Sequence, residues 1–291
     1  MNEKKYHYSV FCGLFGYPIK HSLSPLMHNM SFECYNMDWV YLLFDVLPED
    51  FEKSVTGLKT AGIRGFNVTM PFKETIIPLL DNLEEGAEKI GAVNTVNIVD
   101  GKMTGYNTDH SGFYKTLENH EDDINENKII LFGAGGAAKA VLYALTHSLE
   151  VGNILVIDID EKKINSLKTS TESWGVNNIS FSASKNINNL NEKIREAKFI
   201  INATPVGMTP HPDNSIIEDE NLLNENHIVY DLIYKPQKTK LLLMAEKKGA
   251  VTIGGLEMLI YQGADAFTIW TGKEMPVDKV REKFKEALGS E

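Results

Sequence analysis

A chain of 291 residues, 43% apolar and 24% charged, has an ordinary globular balance and length enough for about two domains of roughly 100–200 residues. Its 29 Lys and Arg stand against 40 Asp and Glu, a net charge of -11, and no basic run exceeds the pairs Lys4-Lys5, Lys162-Lys163 and Lys247-Lys248. That balance excludes an ordinary nucleic-acid binder. Cys12 and Cys34 are too few for a disulfide framework or a four-ligand zinc site, so free thiols and no metal are expected. No apolar stretch approaches the ~20 residues of a membrane span, and no apolar leader core precedes Gly13. A cytoplasmic chain with no membrane partner is expected.

From the first strand onward, short apolar runs alternate with amphipathic stretches. Val10–Phe15, Val40–Phe44 and Phe66–Thr69 read as strands, with helices over Pro25–Cys34 and Phe51–Thr60 between them. Ser22-Leu23-Ser24-Pro25 stands just before the first helix, with Pro25 suited to its first position and Ser24 to its N-cap. Hydroxyls beside free helix N–H groups also make a carboxylate site, and capping and binding are equally good readings. Next, Asn67-Val-Thr69-Met-Pro71-Phe-Lys73 leaves a strand, turns at Met70-Pro71 and is expected to start a helix carrying Lys73 in its first turn. A cation is disfavoured at that end of a helix, which makes Lys73 a candidate acid/base as well as an ordinary surface lysine. Then Val93–Val99 and Lys102–Thr108 flank Asp100-Gly101, a hairpin turn in which both residues take positive φ. The turn-side residues Gly91-Ala-Val-Asn94-Thr and Tyr106-Asn-Thr-Asp109 bracket the hairpin; Asp109 could equally cap a helix starting near Ser111.

The polar run Glu118–Asn127 reads as a junction, beyond which the strand–helix rhythm resumes. Lys128–Phe132, Asn153–Asp158, Phe199–Ala203, Ile228–Leu232 and Val251–Gly254 read as strands, with helices over Ala137–His147 and Lys238–Lys248. This alternation predicts α/β architecture with parallel sheets covered by helices. Lys128-Ile-Ile-Leu-Phe132 runs into Gly133-Ala134-Gly135-Gly136-Ala137-Ala138, a dinucleotide fingerprint with alanine at its third small position. Gly133 permits the tight turn, Gly135 lets a pyrophosphate approach, and the helix N-terminus faces the phosphates. Asp158 ends the next strand, where a carboxylate accepts from a ribose hydroxyl. Against a 2′-phosphate, a carboxylate at ~4 Å is repelled by about 4 kcal/mol per unit charge at an effective dielectric near 20. NAD is therefore expected over NADP, unless Lys162 or Lys163 reaches the phosphate.

Taken in order, Ser22-Leu-Ser24-Pro, Asn67-Val-Thr69-x-Pro-x-Lys73, Gly91-Ala-x-Asn94-Thr, Tyr106-Asn-Thr-Asp109, Gly133-Ala-Gly-Gly-Ala and Gln262-Gly-Ala resemble the shikimate dehydrogenase family over nearly the whole chain. The resemblance implies NAD(P)-linked interconversion of shikimate and 3-dehydroshikimate by a two-domain α/β protein. Its substrate domain would be residues 1–109, with helices 255–291 packing back onto it, and its Rossmann domain residues 110–254. By the same resemblance Ser22 and Ser24 hold the substrate carboxylate. Thr69, Lys73, Asn94, Asp109 and Gln262 surround the ring hydroxyls, Tyr234 lies close by, and Lys73 with Asp109 transfers the proton. Gly133, Ala134, Gly135, Gly136, Ala137 and Asp158 would bind the cofactor with Thr204 and Met208 of the loop Asn202–Met208, Leu232, and Gly255 facing the nicotinamide. NADP-specific members carry an Asn-Arg-Ser/Thr-type motif where this chain has Asp158-Ile159-Asp160, which again favours NAD. Phe267–Glu274 resembles the quinate/shikimate dehydrogenase branch, so oxidation of quinate as well stays open. A non-catalytic dinucleotide-binding sensor and a methylene-tetrahydrofolate-type dehydrogenase are the rival readings. Retention of Lys73 with Asp109 speaks against the sensor, and the serine pair against the folate enzyme. The expected partners are small molecules, for a monomer or homodimer.

Overall fold

The computed structural model describes residues 8–149, 151–184 and 190–289; the chain's charged opening lies outside them. By its internal contacts the chain divides into two compact units, Met1–Thr108 with Ile260–Glu291, and Asp109–Leu259.

The first unit is built on β1 (Val10–Gly16), α1 (Ser24–Cys34), β2 (Trp39–Asp45), α2 (Phe51–Thr60), β3 (Gly65–Val68), β4 (Asn82–Leu83), α3 (Glu85–Ile90), β5 (Thr95–Val99) and β6 (Lys102–Tyr106). Its six-stranded sheet runs β2-β1-β3-β5-β6-β4. β1 pairs parallel with β2 and β3, but β3–β5 and β5–β6 are antiparallel. The antiparallel pairing belongs to the hairpin segment that departs from the strand–helix alternation in the sequence. A two-residue turn can join only antiparallel strands, and Asp100 (φ 49) with Gly101 (φ 73) makes that turn as expected. Phe15, Phe51, Phe66, Val68, Phe72 and Val96 fill the core against one face of this sheet. Phe51 and Phe72 stack with ring centroids 4.0 Å apart.

The second unit carries α4 (Thr108–Lys115, which begins on the last residue of the first), α5 (Glu121–Ile124), β7 (Ile129–Phe132), α6 (Gly136–His147), β8 (Ile154–Asp158), α7 (Glu161–Glu172), β9 (Ile179–Ala183), α8 (Asn191–Glu196), β10 (Phe199–Asn202), β11 (Ile228–Asp231), α9 (Lys240–Lys247) and β12 (Val251–Gly254). Its sheet runs β12-β11-β10-β7-β8-β9 and every pair is parallel. β7, β10 and β11 are buried at every position, as strands covered on both faces must be. α10 (Leu256–Thr271) starts in this unit and ends in the first, and α11 (Val277–Gly289) follows. Within the first unit, the Trp270 indole donates to the Val96 carbonyl at 3.0 Å and anchors α10 to β5.

One core histidine is unusual. His28 on α1 is 0% exposed, stacks on Tyr41 at 4.4 Å and 12°, and has neither ring nitrogen bonded. Burial pushes its pKa from 6.5 down to about 3, so the folded protein holds it neutral while the unfolded chain protonates it below about 6.5. Stability is then full above pH 6.5 and is lost as pH falls towards 3, by up to about 1.4 kcal/mol per pH unit. His28→Phe is expected to shrink the fall in melting temperature between pH 7 and pH 5. An unchanged fall would contradict this account.

Candidate active site

The polar residues singled out in the first unit gather at the C-terminal ends of β1 and β3 and beside the hairpin. Asn67, the next-to-last residue of β3, faces Thr95 of β5 in register. Its Nδ2 donates to the Asn94 carbonyl (3.1 Å) and to Thr95 Oγ1 (2.9 Å), and its Oδ1 accepts from the Tyr41 hydroxyl at 2.6 Å. Asn94 is 3% exposed; its Oδ1 accepts from the Thr108 N–H (2.7 Å), and its Nδ2 donates to Thr108 Oγ1 (2.9 Å) and Gln262 Oε1 (3.4 Å). Asn94 and Gln262, 168 residues apart, are thus brought together as expected. Gln262 reaches this position because Gly263 lies against Met27, where a Cβ would come within 2.0 Å of the methionine methyl.

Ser22 and Ser24 meet, with Ser22 Oγ donating to Ser24 Oγ at 3.2 Å. Ser24 is not the cap expected from sequence: it is the first residue of α1, and no side chain caps that helix. Its own N–H is taken by Ser22 Oγ at 3.2 Å. Thr69 follows β3, half-buried. Lys73 lies in a run of turns that leads into the short 3-10 helix Ile77–Leu79, and not on an α-helix. The helix-end argument for Lys73 therefore falls. Lys73 is half-buried, and its carbonyl accepts from the Val93 N–H (2.8 Å) and ties the turn to the strand before the hairpin. Asp109 is 8% exposed in the first turn of α4, which starts at Thr108 and so leaves Asp109 no capping position.

In the second unit the fingerprint lies where expected. Gly133 takes φ 110, and a Cβ there would meet the Ala203 carbonyl at 2.9 Å. Gly135 precedes α6, whose N-terminus has no side-chain cap, and a Cβ on it would meet nothing within 4 Å. An open glycine over uncapped N–H groups, followed by Gly136 and Ala137, suits a pyrophosphate. Ala134 is buried, and its N–H donates to Asp158 Oδ2 (2.8 Å); Asp158 Oδ1 accepts from the Asp160 N–H (2.9 Å). The carboxylate that the sequence suggests for a ribose also braces the glycine loop. Asp160 caps α7, and Lys162 and Lys163 follow on exposed positions.

Sequence reasoning missed the group that holds the cofactor-side loop. Asp231 at the end of β11 is 0% exposed; it accepts from Asn202 Nδ2 (3.0 Å), the Ile233 N–H (3.1 Å) and Thr239 Oγ1 (2.6 Å). Burial pushes its carboxyl above the ordinary range. Asn202 in turn accepts from the Thr204 N–H and Oγ1 and donates to the Val206 carbonyl (3.2 Å), which leaves Val206 and Met208 exposed. The Leu232 N–H bonds the Asn202 carbonyl (3.0 Å), and a Cβ on Gly255 would lie 2.0 Å from the Leu232 carbonyl oxygen, so only glycine fits. Tyr234 is largely buried, which raises its phenol pKa. Lys139, 7% exposed on α6, was also missed. Its position looks like any helix lysine in sequence.

A Rossmann-type dinucleotide unit joined to an α/β unit with a buried polar cluster suits a dinucleotide-dependent enzyme, and the chain's named relatives make the class an NAD(P)-dependent oxidoreductase acting on a CH–OH group. The Shikimate dehydrogenase substrate binding domain matches residues 14–96, the Shikimate 5'-dehydrogenase C-terminal domain residues 255–283, and the Saccharopine dehydrogenase NADP binding domain residues 129–210. A Shikimate dehydrogenase (NADP(+)) of Alkaliphilus metalliredigens is 41% identical over 286 residues, covering 94% of this chain and 96% of that protein. The solved shikimate 5-dehydrogenase of Listeria monocytogenes, in complex with shikimate and NAD, has a TM-score of 0.87 at 37% identity, covering 98% and 99% of the two chains. That of Thermus thermophilus, with NADP(H) and shikimate, has a TM-score of 0.83 at 32% identity, covering 96% and 100%. The chain belongs to the shikimate dehydrogenase family.

These relatives overturn the expected preference for NAD, since the curated ones are named for NADP(+). The physical reason lies at Asp158: the repulsion argument needs a carboxylate free to face the 2′-phosphate, and both its oxygens are turned onto backbone N–H groups. Asp158→Ala would leave the buried Ala134 N–H without its partner, at a cost of about 1–3 kcal/mol. We expect it to weaken NADP+ and NAD+ binding by the same factor, within about threefold, and to lower the melting temperature. A selective gain for NADP+ by calorimetry would show that the carboxylate faces the ribose instead.

Proposed function

We propose that the protein catalyses the reversible NADP+-linked oxidation of shikimate to 3-dehydroshikimate. The observation that supports this most is the buried cluster of Asn67, Asn94, Thr95 and Thr108, joined by the half-buried Gln262, in a unit that also carries the paired serines and matches the family's substrate-binding domain. Ser22 and Ser24 donate to the carboxylate. Thr69, Asn94 and Gln262 bind the ring hydroxyls, and Tyr234 is a further substrate-binding residue. When bound, NADP+ supplies the hydride acceptor, and Gly133, Ala134, Gly135, Gly136, Ala137, Thr204, Met208, Leu232 and Gly255 would hold it. Lys73 takes the proton of the reacting hydroxyl during oxidation and returns it to the developing alkoxide during reduction, and Asp109 supplies the carboxylate that keeps this cation oriented. Nothing in this chemistry needs a metal, and no group of side chains suited to one occurs among the described residues.

Initial rates with shikimate and with quinate, each with NADP+, test the reading. Turnover of shikimate well above quinate is expected; quinate turned over as fast would place the enzyme in the quinate/shikimate branch, and no turnover of either would refute it. Lys73→Ala is expected to lower kcat by roughly 10²–10⁴-fold with a much smaller change in KM. A variant that keeps more than about a third of wild-type kcat would remove Lys73 from the chemistry. Ser22→Ala with Ser24→Ala deletes two hydrogen bonds to a charged group, each worth about 1.5–3 kcal/mol. The shikimate KM should rise steeply while NADP+ affinity holds, and equal weakening of both ligands would mean the serines only shape the helix start.

A further inference from the structure

We propose that Asp231 is a positioning residue that couples the cofactor loop to the segment carrying Tyr234, so that the dinucleotide and shikimate bind cooperatively. The proposal rests on the shikimate reading given above, which makes Thr204 and Met208 cofactor residues and Tyr234 a substrate residue. At the C-terminal ends of three neighbouring strands, Asn202 of β10, Asp231 of β11 and Gly254 of β12 stand side by side in register. Each strand is followed by a segment which that reading gives to a ligand: Thr204–Met208, Leu232–Tyr234 and Gly255. Asp231 is the middle member of the row and is 0% exposed.

Its two oxygens hold both segments. Asp231 Oδ1 accepts from Asn202 Nδ2 (3.0 Å) and from the Ile233 N–H (3.1 Å), and Oδ2 accepts from Thr239 Oγ1 (2.6 Å). Asn202 carries the tie into the cofactor loop. Its Oδ1 accepts from the Thr204 N–H (3.0 Å) and hydroxyl (2.6 Å), and its Nδ2 also donates to the Val206 carbonyl (3.2 Å). On the other side Ile233 immediately precedes Tyr234, and Thr239 caps α9, so the carboxylate grips residues 233–239 at both ends. The two segments also meet each other directly. The Thr209 N–H donates to the Lys235 carbonyl (3.3 Å), and a Cβ on Gly207 would lie 3.7 Å from Thr239 Cβ and 3.8 Å from Ile233 Cδ1.

All three donors are neutral: an amide, a peptide N–H and a hydroxyl. A buried carboxylate held only by neutral partners is tolerated while all of them stay on it, and losing one is costly. Asn202 therefore cannot follow a ligand on Thr204 and Met208 without displacing Ile233 and Thr239, and a displacement of Tyr234 travels back the same way. By linkage, two ligands joined through such an element change each other's affinity by one common factor. Asp231→Asn preserves the arrangement, because its oxygen can accept from Asn202 and Ile233 while its amide donates to the Thr239 hydroxyl oxygen. Asp231→Ala removes all three bonds.

The test is calorimetry of shikimate binding with and without saturating NADPH, a pair that cannot react because both are reduced. NADPH is expected to tighten shikimate binding to the wild type by about tenfold or more, within the range of about 5–150-fold usual for such coupling. Asp231→Asn should keep that factor within about threefold. In Asp231→Ala the factor should fall below about threefold, with the NADPH Kd raised about tenfold and shikimate binding in its absence changed by less than about threefold. No coupling in the wild type, coupling that survives Asp231→Ala, or coupling lost in Asp231→Asn as well would overturn the proposal. If Asp231→Ala does not fold, Asn202→Ala, which cuts only the branch to the cofactor loop, answers in its place: the factor should again fall below about threefold, and its survival overturns the proposal. A wild-type enzyme that does not turn over shikimate would refute the function itself, whereas a working enzyme whose coupling survives the substitution refutes only the role of Asp231.

Discussion

The first unit is organised around one requirement: the buried amide of Asn67 must have every donor and acceptor satisfied. A polar group of this kind costs several kcal/mol when buried without partners, and about nothing when fully bonded. Tyr41 of β2 and the adjacent residues Asn94 and Thr95 at the start of β5 satisfy it. β5 must therefore lie antiparallel beside β3 with Thr95 opposite Asn67, β2 must bring Tyr41 to the same depth, and the hairpin must return Thr108 onto Asn94. The mixed sheet is the arrangement in which all of these bonds are made. The side chains proposed to meet a polyhydroxy acid thus hold one another in place.

The second unit solves a different problem with the same means. A buried carboxylate, Asp231, is made tolerable by three hydrogen bonds, and one of its partners, Asn202, spends its remaining capacity on the loop Thr204–Val206. Asp158 does the equivalent for the glycine loop. In both cases a side chain at the C-terminal end of a parallel strand fixes the turn that follows it or its neighbour. Ligands of open α/β sheets bind at this end of the strands.

Local features were legible in the sequence wherever short-range chemistry decides them. The uninterrupted apolar run Ile129–Phe132 ahead of a glycine turn could only be a buried strand of a parallel sheet, and Asp100-Gly101 could only be a hairpin turn. Ser24 and Lys73 take places other than the expected ones for one shared reason. Each has a standard local role for its residue type, and each is decided by something the local pattern does not show: Ser24 by Ser22, whose Oγ takes its N–H, and Lys73 by a run of turns after Met70-Pro71 in place of a helix. Tyr41 and Asp231 escaped notice for a related reason. An aromatic in a strand and an acid at a strand end have no visible partner until the sheet order is known, and a buried hydroxyl or carboxyl acquires its meaning from that partner.

The central claim is that the substrate-side amides are locked before ligand binding, and side-chain amide hydrogen exchange measured by NMR on the ligand-free protein tests it most directly. The Nδ2 protons of Asn67 and Asn94 are bonded and buried, so they should exchange at least about a thousandfold more slowly than those of an exposed asparagine, with no further slowing when NADP+ alone is added. Exchange as fast as in an unstructured peptide, or protection that appears only with shikimate, would mean the cluster is assembled by the substrate and would contradict the account.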